Sequence, residues 1–504
     1  MSKLIVLSNR VSLPKPDKLV AGGLAVALQD ALQKKGGIWL GWNGEIIENT
    51  ASSMKANNAA QNDIQTSSQH PSIEYISNDQ MSSFGCITDG NIEYLTCPLT
   101  QQQYDQYYSG FANSTLWPAM HERGDLIQYS SAEFNTYQEV NALFAQKLKQ
   151  IAAEDDVIWV HDYHFFSVAR YCRQLGMRNK IGFFLHIPFA RTSILKHIPA
   201  ITTLLQDLCQ FDLVGLQTEH DQHQCMQAFT TLLQAQKIQK SLISYQQRIT
   251  TVKSFPIGIN PQHIQQVAKQ HNQTDVFDLN ALRQQRTIIG VDRIDYSKGL
   301  LERFNAFAAF LQQYPHYQTK VTELQVACPC RMDIDAYKNL YDQVNQSIER
   351  INQQFGQPNW LPIDCINDTV EHDALMALYQ QTDICWITSL RDGMNLVAKE
   401  YIAAQDPDNP GVLILSKFAG AAEQMQAAII VDPTNQEAMV AALKTALEMP
   451  KAERIQRYQQ LMHGIEAFDI NDWCKTFLSD LRQNQPLQRF KNPSRAVNNA
   501  YPLQ

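Results

Sequence analysis

Ten short, nearly continuous apolar runs, separated by helix-patterned stretches, constrain the fold of this chain more than any other feature. They are LIVLS (4–8), VIWVH (157–161), IGFFLHI (181–187), LVGLQ (213–217) and VKSFPIGI (252–259). A second series follows: TIIGVD (287–292), LQVAC (324–328), ICWIT (384–388), VLILS (412–416) and AAIIVD (427–432). A strand without polar alternation has to be covered on both faces, and helices between parallel strands do that. Helical patterning spans 23–35, 299–314, 333–355 and 435–449. Ten strands strain a single sheet, and the chain divides naturally at Pro256–Pro261. The fold class expected is therefore α/β, with two doubly wound Rossmann-like domains at 1–260 and 261–470. A last helix and tail occupy 471–504, and periodicity does not say where they pack.

The 504 residues, 44% of them hydrophobic, supply enough apolar material for two such cores. A formal charge of −8 argues against a general binder of nucleic acid or anionic membrane. No apolar run approaches the ~20 residues that span a bilayer. The opening MSKLIVLSNR has too short an apolar run for a signal peptide. A cytoplasmic protein is expected. Its ten cysteines lack any CxxC pair and read as reduced, mostly buried thiols, with Cys328-Pro-Cys330 the one close pair. The stretch 47–83, rich in Asn, Gln, Ser and Ala, reads as a long polar surface excursion.

In doubly wound sheets ligands collect at the carboxyl ends of the strands, so the residues that follow each run carry the chemistry. The first run delivers Asn9 and Arg10, and Gly22-Gly23 then opens a helix. Such a pair either admits a phosphate to backbone N–H groups or only permits a tight turn. VIWVHDYH delivers His161, Asp162, Tyr163 and His164, and IGFFLHIPF delivers His186. No Cys or Glu set completes a metal site. Asp and His at one sheet edge favour polyol binding or acid–base chemistry over purely structural histidines.

VDRIDYSKG sets Arg293 and Lys298 about a strand end and a helix start, as a diphosphate receptor requires. The plainer reading is a loop salt-bridged to Asp292 or Asp295. SLRDGMNLVAKEY carries Asp392 and Glu400 eight residues apart, which places both along a similar helix face, with Gly393 and Asn395 at the helix start. LQVACPCR delivers Arg331. Trp42, Tyr108 and Trp117 stand among Gly, Asn and Pro outside an obvious helical stripe, as the walls of a carbohydrate pocket would.

SNR, AGGLA, GWNG, LWP, HDYH, FFLHIPF, PIGI, DYSKGL and RDGMNLVAKEY occur in this order between about residues 3 and 425. Together they resemble the trehalose-6-phosphate synthase family. The resemblance implies a GT-B fold and retaining transfer of glucose from UDP-glucose to glucose 6-phosphate, without metal or other cofactor, in the service of stress and osmotic protection. It also implies a catalytic group of Arg293, Lys298, Asp162 and His186. The donor would meet Gly23, His186, Arg293, Lys298, Asp392, Asn395, Leu396, Val397 and Glu400. The acceptor would meet Arg10, Trp42, Tyr108, Trp117, Asp162 and Arg331. Family members react on the front face, so neither Asp162 nor Asp392 is a nucleophile. Residues 471–504 would pack back on the N-terminal domain, the assembly would be a homodimer or homotetramer, and a separate phosphatase would act downstream.

The chain departs from the family pattern at Ala190, Arg191 and Ser193 after HIPF, at Asp292 before Arg293, and at Cys328 and Cys330. The rival readings are a transferase with another phosphorylated acceptor, such as glycerol 3-phosphate, and a catalytically silent sugar-phosphate sensor.

Overall fold

The computed structural model describes residues 2–11, 13, 28, 32, 36–48, 84–270 and 285–483. Gly22, Gly23, most of the helix expected at 23–35, nearly all of the 47–83 excursion and the tail from 484 lie outside the described residues. Sixteen described strands form two sheets.

The first sheet contains β1 (Leu4–Arg10), β2 (Gly37–Ile47), β3 (Gly85–Asp89), β4 (Ile92–Thr100), β5 (Val157–His161), β6 (Lys180–Phe184), β7 (Leu213–Leu216), β8 (Gln236–Gln239), β9 (Leu242–Tyr245) and β10 (Arg248–Ser254). Their order is β3-β4-β2-β1-β5-β6-β7-β10-β9-β8. The seven strands from β4 to β10 are parallel, while β3, β9 and β8 add antiparallel edges. The second sheet holds β11 (Arg286–Arg293), β12 (Val321–Cys328), β13 (Ile363–Ile366), β14 (Ile384–Ile387), β15 (Val412–Ser416) and β16 (Ile429–Val431). It is parallel throughout, in the order β13-β12-β11-β14-β15-β16.

All ten expected runs coincide with or overlap a strand, five to each sheet, and VIWVH and VLILS keep the expected ends. The run expected at 252–259 starts earlier and stops at Ser254, before Pro256. The run expected to reach Ile187 stops at Phe184, and the chain then turns so that the His186 N–H donates to Asp162 Oδ1. Six strands were not expected: β2, β3, β4, β8, β9 and β13.

The helices that frame the site are α1 (Ser131–Ile151), α2 (Glu219–Leu232), α3 (Leu300–Gln313), α4 (Asp335–Phe355), α5 (Leu396–Ala404) and α6 (Ile470–Gln483). One apolar core runs without interruption from the first sheet (Leu4, Trp159, Phe184) through the connection (Phe255, Ile257, Ile259) to the second sheet (Ile289, Leu324). Helix α6 completes it from below the first sheet. Phe477 lies under β6 and β7 at Gly182 and Gly215, where a Cβ would stand 2.8 and 2.7 Å from its ring. Trp473 packs 4.9 Å from both Trp159 and Phe184. All ten cysteines are free and most are buried. No helix among the described residues is long and apolar enough to cross a membrane.

Candidate active site

The carboxyl ends of both sheets face each other across a cleft that holds a cavity of about 490 Å³. His186, Arg293, Lys298, Asp392, Asn395, Leu396, Val397 and Glu400 all line it. Arg293 is the last residue of β11, and Lys298 precedes Gly299, the N-cap of α3. Lys298 Nζ meets Asp392 Oδ2 at 2.6 Å, with both side chains about 15% exposed at most. Asn395 Nδ2 and Ser389 Oγ donate to the same oxygen at 3.1 Å. Burial opposes the charge on Asp392, yet Lys298 and these donors keep its pKa below the ordinary carboxylate value.

Asp392 and Glu400 do not share a helix face, contrary to expectation. Helix α5 starts only at Leu396, capped by Asn395, whose backbone is left-handed (φ 71°) and whose Oδ1 accepts from Ala398 N. Asp392 lies before the helix in an extended bridge with Ala419. The two carboxylates therefore reach the cavity from different elements. Glu400 is on the helix, and burial pushes its pKa up to about 7. Gly393 sits where a Cβ would lie 1.9 Å from the His186 carbonyl oxygen, so no other residue lets the two sides of the cleft approach this closely.

His186 Nε2 lies 3.0 Å from His161 Nδ1, and burial lowers the His186 pKa to about 3. The pair is neutral at physiological pH. Asp162, held at φ 73°, is pushed by burial up to about 6, against the pull of Arg331 and Arg293. The HDYH spacing does not build a metal site: His164 stacks on Tyr108 at 5.9 Å, and no ligand cluster occurs among the described residues.

Beside the cavity lies a second cationic centre walled by aromatic rings. Arg331, in a left-handed backbone (φ 50°), places its guanidinium 3.9 Å over the Trp117 ring. It donates to the hydroxyls of Tyr163, at 3.2 Å, and Tyr337, and pairs with Asp295 at 3.5 Å. Arg293 lies 5.3 Å over the same Trp117 ring, so one indole joins the two centres. Burial works against ionised Asp295, but Arg331 and Arg293 hold its pKa down to about 2. Further out, Arg10 lies 5.8 Å over Trp42, which packs 5.6 Å from Tyr108.

Tyr108 and Trp117 do belong to helices. Tyr108 is in a π-helix, Tyr104–Leu116, and Trp117 opens the short helix Trp117–Met120. The wide π turn spaces Tyr104 and Tyr108 to stack at 5.4 Å. The plainer reading of Arg293 and Lys298 holds in part, since Arg293 is 4.0 Å from Asp295. Asp292 pairs instead with buried Arg303, at 2.6 Å. Arg191 pairs with Glu122 at 2.8 Å on the surface.

Two contributors went unnoticed in the sequence. Tyr337 on α4 orients Arg331 together with Asp295, to which its hydroxyl donates, and the loop Asp368–Val370 after β13 lines the cavity. The signal for that loop is the short run IDCI, a strand whose carboxyl end opens on the cavity.

The sequence pattern of glycosyltransferase family 20 matches residues 9–483. A trehalose-6-phosphate synthase of Sodalis glossinidius is 38% identical over 483 residues, 96% of each chain. A Burkholderia xenovorans α,α-trehalose-phosphate synthase (UDP-forming), solved in complex with glucose-6-phosphate, superposes with a TM-score of 0.85 at 38% identity, over 95% of this chain and all of that one. An Escherichia coli structure bound with UDP-2-fluoro glucose gives 0.84 at 38% identity, over 96% of this chain and all of that one.

Proposed function

The chain belongs to glycosyltransferase family 20, and from that premise we infer that it moves glucose from UDP-glucose to glucose 6-phosphate, releasing UDP and α,α-trehalose 6-phosphate. The glucose-6-phosphate and UDP-2-fluoro glucose complexes of its relatives support both substrates. The carrying observation is the indole of Trp117 between two arginines, one at the end of a cavity sized for a nucleotide sugar and one in an aromatic-walled clamp.

On this reading Arg293 and Lys298 take the donor diphosphate. The N-terminal amides of α5 at Asn395, Leu396 and Val397 meet the donor, and Glu400 holds the ribose. His186 and Asp392 hold the hydroxyls of the donor glucose. Arg10, Tyr108 and Arg331 clamp the acceptor phosphate, Trp42 and Trp117 form the pocket walls, and Asp162 accepts from acceptor hydroxyls.

The bond from the glucose anomeric carbon to the diphosphate oxygen breaks while negative charge grows on the departing UDP. Arg293 and Lys298 meet that charge more strongly in the transition state than in the ground state, which is what accelerates the step. The acceptor hydroxyl adds to the same face of the sugar, and its proton passes to the departing phosphate oxygen. Configuration is retained without a carboxylate nucleophile. Contacts that close the cleft, such as Gly393 on His186, keep water from competing.

Residues 1–260 carry the acceptor side and 261–470 the donor side, with α6 returning to the first domain. We place the enzyme in the cytoplasm as a homodimer or homotetramer, with a separate phosphatase consuming its product.

The test is nucleotide release from UDP-, GDP- and ADP-glucose with and without glucose 6-phosphate, with the product identified by mass and by phosphatase conversion to trehalose. Acceptor-dependent UDP release with that product is expected. Release only with another phosphate, such as glycerol 3-phosphate, would move the acceptor assignment. No release from a folded protein that binds glucose 6-phosphate would make it a sensor.

A further inference from the structure

The segment after Ser254 carries the chain from the first sheet towards the second. Ile257, within it, is buried and lines the cavity beside Gln217 and Glu400. Side chains from both sides of the cleft hold its two backbone polar groups. Its N–H donates to Gln217 Oε1 at 3.0 Å, one residue past β7. Its carbonyl accepts from Lys399 Nζ, on α5, at 2.7 Å.

The second acceptor of that ammonium, Gln424 Oε1 at 2.8 Å, is also neutral. Lys399 is only 3% exposed, and burial pushes its pKa down to about 7. A buried amine in such a place is costly in either protonation state, and a methionine of similar length would avoid the cost, so stability alone does not account for the lysine. The position of Lys399 does. Helix α5 also gives the cavity Asn395, Leu396, Val397 and Glu400. A single side chain thus ties the connecting segment to the wall that carries four of the donor-facing residues, Asn395, Leu396, Val397 and Glu400.

We propose that Lys399 is a positioning residue for the donor: by pinning the Ile257 peptide to α5, it holds two walls of the nucleotide-sugar cavity in register. The proposal rests on the donor assignment made above. Gln217 is its counterpart on the first sheet, and the two act through one residue, Ile257.

The test compares Lys399→Met, Gln217→Met and the double variant. UDP-glucose binding is measured by calorimetry, and KM and kcat by UDP release. Lys399→Met should raise the Kd and KM for UDP-glucose about tenfold, the usual consequence of one broken buried hydrogen bond, with kcat and the KM for glucose 6-phosphate within about threefold of wild type. A purely structural lysine would lower the melting temperature without splitting KM from kcat. The double variant should be no worse than the more damaging single one, because both break the same support. Wild-type donor affinity in a folded Lys399→Met protein, or fully additive losses in the double variant, would overturn the proposal. Gln217→Met reaches the same residue, Ile257, without touching α5 and carries the test if Lys399→Met does not fold. A wild-type protein that binds no UDP-glucose would instead overturn the donor assignment itself.

Discussion

Replacing Lys298 by methionine separates two effects that the structure ties together. The ammonium is 2.6 Å from Asp392, and neither side chain is more than 15% exposed. Breaking such a pair from one side costs about 3 kcal/mol of stability, at the low end of the usual range because Ser389 and Asn395 still donate to the stranded carboxylate. On the reaction, losing one preorganised donor to a developing anion costs about 3–4 kcal/mol, or 10²–10³ in turnover. Asp392 then adds repulsion, because an unneutralised carboxylate faces the departing diphosphate. We expect kcat/KM to fall about 10³-fold in Lys298→Met, and the double variant with Asp392→Asn to recover about tenfold of that loss. The assay is acceptor-dependent UDP release, with folding checked by thermal melting. A folded Lys298→Met enzyme within tenfold of wild type would refute the role, and a double variant slower than the single would refute the repulsion.

Further expectations concern separate parts of the site. Arg331→Lys keeps a charge but loses the flat contact with Trp117 and the fork to Tyr163 and Tyr337, so the KM for glucose 6-phosphate should rise at least about tenfold with kcat nearly unchanged; an unchanged KM would remove Arg331 from the clamp. The pKa of Asp162 is raised from 3.8 to about 6, so the folded chain binds more protons than the unfolded one in that window and stability falls as pH rises through it. Asp162→Asn should therefore be more stable than wild type at neutral pH by up to about 3 kcal/mol, with the gain vanishing near pH 4, while turnover drops. Equal denaturant midpoints at both pH values would contradict this. Across the cleft, Glu423 accepts from the N–H groups of Glu219 and His220 at the start of α2, at 3.1 and 3.3 Å. Glu423→Ala should cost about 0.5–1 kcal/mol and raise hydrolysis of UDP-glucose relative to transfer, measured as UDP release without acceptor; an unchanged ratio would dissociate this contact from closure.

Runs such as TIIGVD and VLILS announced themselves as strands because both faces of their central residues are buried and apolar residues fill those positions. The strands that stayed hidden break that rule for identifiable reasons. GIWLGWNGEII mixes glycine and polar residues with its apolar ones, and its last three residues are exposed. IDCI is short and only half-buried after its first residue. Arg293, Lys298 and Arg331 were legible because charges at strand ends are conspicuous. Their setting was not, since the groups that orient Arg331 come from Trp117, Tyr163, Asp295 and Tyr337, which meet only after both sheets have formed. The helix face wrongly shared by Asp392 and Glu400 shows a different limit: a left-handed cap at Asn395 delays the helix by one turn, and periodicity carries no sign of it.

The return of α6 beneath the first sheet also bears on the order in which the protein can be made. Gly182 and Gly215 leave a hollow on β6 and β7 that Phe477 and Leu481 enter, and Trp159 and Phe184 wait for Trp473. A ribosome delivers those residues only after both sheets. The first sheet is therefore completed after the second has been made, with an apolar patch on view throughout translation of the second sheet. Nascent chains stalled between about residues 255 and 470 should engage chaperones through that patch, and release should coincide with the emergence of α6.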